Sequence, residues 1–242
     1  MATSELVVLR PVGVGAAATA FGCLMAAAPV PAGAAFTGYV AAALVVMAGW
    51  IRNRPGHRRF GIANAVTLAR LVGSVWILAL LLQAVWEEPT RLIAICIAVV
   101  GSTCLLLDGV DGRIARRRGE TSAFGGRFDN ETDAGTTLLL ALTLPVFHVA
   151  GWWVVLIGLI RYLYLLAAVP LPALRAPLPF SQARRVIGLG QAILLVLSVL
   201  LAGVLPSLAS SGWLALLPGV GLLSLLWSFG RDAWRQLVSA RR

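Results

Sequence analysis

Apolar runs of about 20 residues recur along this chain, and their length restricts the folds that it can adopt. A helix of about 20 apolar residues crosses roughly 30 Å of hydrocarbon, and 59% of the residues here are hydrophobic. Backbone polar groups find no water inside lipid, so segments of this kind are expected to be helical. The runs predict eight spans, at residues 11–30, 33–51, 64–86, 91–107, 129–149, 152–170, 187–205 and 213–229.

The charges between these spans predict the orientation of the chain. The net charge is +10, and every basic residue is an arginine. The loops after the second, fourth and sixth spans and the C-terminal tail are rich in arginine, whereas the alternate loops hold a single one, Arg91. Arginine-rich loops stay in the cytoplasm, so we expect a multi-pass inner (plasma) membrane protein with both termini cytoplasmic. This distribution favours contact with anionic membrane lipids or phosphate and no role in nucleic-acid binding.

Six of the ten acidic residues lie in one stretch, from Asp108 to Asp133. Asp108 and Asp111 are three residues apart after the fourth span, and Asp129 and Asp133 are four apart in the next helix, so each pair shares a helical face. Acidic groups beside apolar spans are unfavourable to retain, which makes such a group a functional-site hypothesis. An antiparallel pair of helices would bring the four carboxylates together.

The two predicted helices that carry the aspartates would meet at their ends in an antiparallel hairpin, and the resulting group of carboxylates suggests what they bind. We expect the helix of the fourth span to continue through Arg118 and the next helix to begin near Phe128. Four close carboxylates repel one another unless a cation lies between them. Oxygen ligands without His or Cys suit Mg²⁺ or Mn²⁺, and two such ions are a known arrangement for in-line displacement at phosphorus.

Small residues surround these aspartates along the sequence. Gly109, Gly112, Ala115 and Gly125 would leave a low surface that a phosphate or a flat base can approach, although close helix packing also favours small residues. Arg116, beyond Asp111 in the same helix, is a candidate contact for phosphate oxygens. The stretch therefore combines a cation site with a surface of nucleotide size.

A second polar group begins the third span. Asn64, Thr67 and Arg70 are spaced three residues apart and share a helical face. Arg70 lies inside an apolar helix, where an arginine needs an anion or a carboxylate partner unless its side chain extends to the interface. We therefore predict that this face turns toward the acidic stretch or toward a bound anion.

These residues resemble the signature of the CDP-alcohol phosphatidyltransferase family, D-x2-D-G-x2-A-R-x8-G-x3-D-x3-D. Every fixed position is filled at the family's spacing, by Asp108, Asp111, Gly112, Ala115, Arg116, Gly125, Asp129 and Asp133. The Asn64–Arg70 segment is similar to the first core helix of the family. The resemblance covers about residues 55–230 and implies an all-α membrane bundle with a six-helix core. Residues 1–54 would form a two-helix N-terminal extension, and residues 55–242 the core with its basic tail.

The resemblance also implies a reaction, namely transfer of a phosphatidyl (substituted phosphate) group from a CDP-linked lipid such as CDP-diacylglycerol to an alcohol, with release of CMP. Asp108, Asp111 and Asp129 would bind two divalent ions, Mg²⁺ or Mn²⁺. Asp133 would assist at the metals and act as the base that deprotonates the acceptor hydroxyl. By the same resemblance the CDP pocket is lined by Asn64, Thr67, Gly112, Ala115, Arg116 and Gly125. The family works in a cytoplasm-facing cavity and its members are often homodimers, which we expect here as well.

The acceptor alcohol is not identified by the sequence. Family members that make phosphatidylglycerol or phosphatidylinositol phosphate often read L-D-P-x-A-D-K, whereas this chain reads F-D-N-E-T-D-A. A phosphorylated acceptor remains an option, because several arginines could bind its phosphate. These candidates are Arg70, Arg161, Arg175, Arg184 and Arg185. The alternative function is a transporter or channel that uses the carboxylates as a cation site.

Overall fold

The computed structural model describes residues 61–118, 122–175 and 181–239. Within these ranges the chain is all-helical, as predicted, and no strand occurs. Three 3-10 turns, Trp152–Val155, Pro172–Arg175 and Trp213–Ala215, accompany the α-helices. The helices are α1 (Ile62–Glu87), α2 (Arg91–Arg118), α3 (Ala123–Val146), α4 (Leu156–Ala167), α5 (Gln182–Val204), α6 (Pro206–Ser210) and α7 (Leu216–Ser239). The first two predicted spans lie outside the described residues.

Among the residues that the structure describes, four helical segments are long and apolar enough to cross a membrane. They coincide with the third, fourth, seventh and eighth predicted spans and comprise Ile62–Glu87, Arg91–Gly109, Gln182–Val204 and Trp213–Ser239. The fifth and sixth predicted spans are also helical, but α3 begins with a charged segment and the apolar helix Trp152–Ala167 is shorter. These lengths and compositions are those of an integral membrane protein.

The helix boundaries around the acidic stretch differ from the prediction at one end. α2 continues through Arg118, as predicted. α3, however, begins at Ala123 and not near Phe128, because Ser122 caps it. The Ser122 hydroxyl accepts a hydrogen bond from the Gly125 amide at 2.9 Å, which satisfies one of the amides that a helix leaves without a partner at its N-terminus.

The core consists mainly of apolar side chains from α1, α2, α3 and α5: α2 packs between α1 and α5, and α1 also packs against α3. Ile77, Ile97, Leu140 and Leu195 are among its fully buried members. Lipid is as apolar as these side chains, so close packing rather than exclusion of water must hold such helices together. Gly158 shows how close α4 comes to α3, because a Cβ added there would lie 2.5 Å from the Leu138 Cα.

The alternating direction of the helices gathers most of the charged side chains at one end of the bundle, while Glu87, Glu88 and Arg91 lie at the other. α1 begins there, α2 ends there and α3 begins there, since short loops connect successive helices. Side-chain contacts extend this end to the later helices: Arg161 of α4 contacts Glu131 of α3, and Arg184 of α5 contacts Asp232 of α7. The candidate functional residues therefore lie on one side of the molecule.

Candidate active site

Three aspartates from two helices converge at this end of the bundle. Asp108 comes from α2, and Asp129 and Asp133 lie one turn apart on α3. One carboxylate oxygen from each lies within 4.8 Å of the others. Their side chains are between 37% and 43% exposed, so each is half-buried yet open to ions and ligands. We call these three residues the aspartate triad.

Arg70 of α1 reaches all three members of the triad. Its Nη1 lies 3.0 Å from Asp108 Oδ1 and donates to Asp129 Oδ1 at 2.7 Å, and its Nη2 pairs with Asp133 Oδ1. The arginine side chain is only 3% exposed. The carboxylate partner expected for an arginine inside an apolar helix is therefore present, whereas a contact between Arg70 and phosphate stays a prediction.

The chemistry of the triad fits a hard divalent cation. Its ligands are carboxylate oxygens only, which Mg²⁺ and Mn²⁺ prefer. Three carboxylates against one guanidinium leave an excess of negative charge, and a cation would relieve their repulsion. Asp111 also lies in α2, but its side chain is outside the described part of the structure, and its place among the ligands stays a prediction. Gly112, Ala115 and Arg116 follow it in α2 with side chains likewise outside the described part, and their contacts with CDP stay predictions.

Two of the residues assigned to CDP binding are brought together beside the triad. Gly125, in the first turn of α3, faces Asn64 of α1 so closely that an added Cβ would lie 2.9 Å from the Asn64 Oδ1. Asn64 and Thr67 are both buried, and the Thr67 hydroxyl donates to the Ala63 carbonyl at 3.2 Å. The predicted face of α1 therefore points toward α3, although the binding roles of these residues are untested.

A layer of hydroxyl groups lies one turn deeper in the bundle and joins α1 to α3. The Ser74 and Thr136 hydroxyls are hydrogen-bonded at 2.6 Å, with either as the donor. The Arg70 carbonyl lies 3.0 Å from the Ser74 hydroxyl and the Thr132 carbonyl 2.8 Å from the Thr136 hydroxyl, and each can accept from the hydroxyl that is not donating across this contact. The Cys104 thiol of α2 also reaches the Arg70 carbonyl, at 3.7 Å. Sequence analysis missed this layer, although polar residues one turn beyond Arg70 and Thr132 in apolar helices were a usable signal.

A family model for CDP-alcohol phosphatidyltransferases matches residues 60–223, more than half of the chain. The chain belongs to this family. The matched segment contains Arg70 and the whole aspartate triad, so the predicted resemblance is confirmed. Neither a curated protein nor a solved structure matches the chain significantly. CDP-alcohol phosphatidyltransferases are transferases that generally use a divalent metal, which favours an enzyme over the transporter or channel alternative.

The arginines considered for the acceptor of this CDP-alcohol phosphatidyltransferase differ in their contacts. Arg161 Nη2 donates to Glu131 Oε1 at 2.8 Å, and Arg184 Nη1 lies 3.4 Å from Asp232 Oδ2. Arg185 is exposed, and the side chain of Arg175 lies outside the described part. Counting Arg70, three of the five candidates therefore already contact a carboxylate, and acceptor binding by all five stays a prediction.

Asp232 organises a second charged cluster. Its Oδ1 lies 3.5 Å from Arg231 Nη2, and its side chain is 7% exposed. We call Arg184, Arg231 and Asp232 the Asp232 cluster. Arg231 also lies over the Trp227 ring, 4.7 Å from its centroid, in a cation–π contact. Sequence analysis missed Asp232, although an acid among the apolar and basic residues of α7 was a signal that a partner was required.

Proposed function

We propose that the protein transfers the phosphatidyl group of a CDP-linked lipid, such as CDP-diacylglycerol, to an alcohol and releases CMP. The observation that carries this proposal is the aspartate triad inside the segment that the family model matches. A substituted diphosphate is a substrate on which oxygen-ligated divalent ions are effective, because charge develops on phosphate oxygens during displacement.

The reaction requires a base for the acceptor. In the proposed step the acceptor hydroxyl oxygen attacks the β-phosphorus of the CDP-lipid, and its proton passes to the Asp133 carboxylate. A bond forms between that oxygen and the phosphorus, while the bond to the oxygen bridging to CMP breaks, so CMP leaves with the bonding electrons. Asp133 suits this role because it is half-buried at the rim of the triad, at 43% exposure.

The metal ligands would be Asp108, Asp129 and Asp133 with Asp111, enough carboxylates for two ions of Mg²⁺ or Mn²⁺. When bound, such ions neutralise charge on the diphosphate and on departing CMP. The chain's own polar groups would hold the nucleotide beside them. We assign this contact to Asn64, Thr67, Gly112, Ala115, Arg116 and Gly125.

The acceptor site would lie toward α4, α5 and α7. Two arginines against one aspartate leave the Asp232 cluster with an excess of positive charge. A phosphate on the acceptor could share Arg184 with Asp232, whereas Arg161 would first have to leave Glu131. Arg185 and Arg175 are further candidates for such a phosphate. An uncharged or zwitterionic alcohol would need none of these arginines.

The membrane setting follows from the arginine distribution. We propose that the active site faces the cytoplasm from the inner (plasma) membrane, where a CDP-linked lipid and a water-soluble alcohol can meet. Residues 1–54 would be an N-terminal extension to the catalytic core at 55–242, and the working unit would be a homodimer. Cysteine-accessibility labelling of single-cysteine variants in the loops would test the orientation.

The decisive experiment incubates purified protein in detergent with labelled CDP-diacylglycerol and Mg²⁺ or Mn²⁺, and measures CMP release. Serine, glycerol-3-phosphate, inositol phosphate, choline and phosphatidylglycerol are offered one at a time. We expect one of them to support turnover that stops with EDTA and returns with added metal. Full activity in chelator would contradict the metal assignment, and no release with any alcohol would contradict the proposed reaction.

A further inference from the structure

The three carboxylates of the aspartate triad need a positive charge between them even when no divalent ion is bound. Three carboxylates whose oxygens lie within 4.8 Å repel one another in any state of the enzyme that lacks divalent ions. The repulsion is strong beside an apolar bundle, because surrounding hydrocarbon screens charge poorly.

Arg70 meets this requirement from within the chain. We propose that Arg70 is the internal counter-cation of the triad: it holds the three carboxylates together when no divalent ion is bound, and it competes with those ions for the same oxygens. The proposal rests on the metal site of the proposed function. Arg70 acts here through the metal ligands and is a positioning residue.

The contacts support both halves of this proposal. The same guanidinium reaches one oxygen of each aspartate, so a single cation is shared among three anions. Each of these carboxylates also offers one oxygen within 4.8 Å of the others, so an ion held by all three would lie in the region that the guanidinium reaches. A guanidinium and a metal ion cannot both occupy the space between the carboxylates at full contact, so each must weaken the binding of the other.

The position of Arg70 is fixed by the fold. Its side chain is 3% exposed, unlike that of an arginine extended toward the membrane interface. Its backbone carbonyl can accept from Ser74 of the same helix and from the Cys104 thiol of α2, and Ser74 contacts Thr136 of α3. The arginine is therefore anchored to the same two helices that supply the triad.

The test compares the parent protein with Arg70→Gln and Arg70→Lys, without measuring turnover. Thermal unfolding is followed in EDTA and in Mg²⁺, and Mn²⁺ binding is followed by the electron paramagnetic resonance signal of the free ion. We expect Arg70→Gln to lower the unfolding temperature in EDTA and to recover most of that loss in Mg²⁺. Its Mn²⁺ affinity should rise about ten-fold, the order of effect that one neighbouring charge exerts on a carboxylate. Arg70→Lys keeps the charge and should lie closer to the parent in both measurements.

A charge-balanced double variant keeps the test informative if Arg70→Gln alone is too unstable to fold. Arg70→Gln combined with Asp129→Asn removes one positive and one negative charge, and should be more stable in EDTA than Arg70→Gln alone. An equal loss of stability in EDTA and Mg²⁺, with unchanged Mn²⁺ affinity, would overturn the proposal and leave Arg70 a packing residue. A double variant no more stable than Arg70→Gln would overturn it too. If the parent binds no Mn²⁺, the proposed metal site itself fails, and the EDTA comparison of single and double variants still decides whether Arg70 holds the triad.

Discussion

The two charged clusters at the functional end of the bundle are built from the same residue types in opposite proportions. The aspartate triad sets three carboxylates around one deeply buried arginine. The Asp232 cluster sets two partly exposed arginines around one deeply buried aspartate. In each, the buried residue is the minority charge, and the exposed residues carry the excess. The accessible surface is therefore negative in the first cluster and positive in the second.

Because their excess charges are opposite, the two clusters would attract different kinds of ligand. Excess carboxylate attracts divalent cations, and excess guanidinium attracts phosphate or carboxylate. α4 connects the two clusters, since Arg161 contacts Glu131 beside the triad and Tyr164, one turn later, hydrogen-bonds to Gln236 beside Asp232. Under the proposed function the two clusters would bind the two substrates, and α4, which contacts residues beside both clusters, would set their separation.

The largest expected effect is that of removing the proposed base, Asp133, from the aspartate triad. Asp133→Asn should lower kcat by about a hundred- to ten-thousand-fold, the usual contribution of a general base, while CDP-lipid binding remains. The measurement is CMP release together with binding of labelled CDP-diacylglycerol.

The matched control for Asp133→Asn is Glu131→Gln, the same change on the exposed side of α3. Glu131 pairs with Arg161 at the surface, and such pairs contribute little, so kcat should fall by less than about three-fold. Turnover by Asp133→Asn comparable to that of the parent would contradict the base assignment. Equal losses in both variants would show that the change acts on α3 as a whole.

Of the two clusters, only the aspartate triad could be predicted from the sequence. The triad could be predicted because its members stand at fixed helical spacings, and Arg70 because an arginine within an apolar helix needs a partner. The convergence of α2 and α3 was predicted from an antiparallel hairpin in which the two helix ends meet. The family signature contributed the chemistry, since carboxylate spacing alone does not distinguish a phosphotransferase from a cation channel.

The Asp232 cluster could not be predicted in the same way. Its members come from α5 and α7, and no local spacing relates Arg184 to Asp232. The start of α3 was also misplaced, because Ser122 was not recognised as an N-cap. The Asp232 cluster depends on which helices become neighbours, and helix packing in a membrane is set by shape rather than by a periodic pattern. The Ser122 cap, by contrast, is a local contact with Gly125 that the sequence did contain.

The second-largest effect is expected from a change in the Asp232 cluster. Arg184→Gln should lower kcat/KM for a phosphorylated acceptor, such as glycerol-3-phosphate, by about ten-fold or more, because a hydrogen bond between charged groups contributes about 1.5–3 kcal/mol. An unphosphorylated acceptor such as serine should change much less. The measurement is kcat/KM for each acceptor at saturating CDP-lipid.

Arg235→Gln supplies the matched control for the positive cluster, since Arg235 is exposed on α7 and its loss removes the same charge. It should affect all acceptors alike and by about two-fold or less, as expected for an exposed and screened charge. If Arg184→Gln also affects every acceptor alike, the Asp232 cluster supports the fold and does not select the acceptor.

A third prediction concerns the separation of the two clusters. Gly158→Ala would place a Cβ 2.5 Å from the Leu138 Cα, and because that atom belongs to the backbone, α4 must move away from α3. Overpacking of this kind destabilises by about 1–3 kcal/mol, which exceeds the gain of about 1 kcal/mol from replacing a helical glycine by alanine. We expect a lower unfolding temperature in detergent and reduced turnover. Gly188→Ala, where an added Cβ meets open space in α5, should be neutral or stabilising.

The smallest effect is expected from a change beside the aspartate triad, where the nucleotide is proposed to bind. Gly125→Ala would bring a Cβ to 2.9 Å from Asn64 Oδ1 and 3.1 Å from the Ser122 hydroxyl. The Asn64 side chain can turn aside, whereas the Ser122 hydroxyl, at the longer distance, keeps its cap on the Gly125 amide, so the fold should persist while Asn64 shifts. KM for the CDP-lipid should rise about three- to ten-fold with kcat nearly unchanged, the pattern expected when ground-state and transition-state binding weaken equally. Gly126→Ala, the next position in the same helical turn, meets nothing within 4 Å and should leave KM unchanged. A rise in KM with Gly126→Ala as large as that with Gly125→Ala would mean that stiffening of the helix start, and not contact with Asn64, controls nucleotide binding.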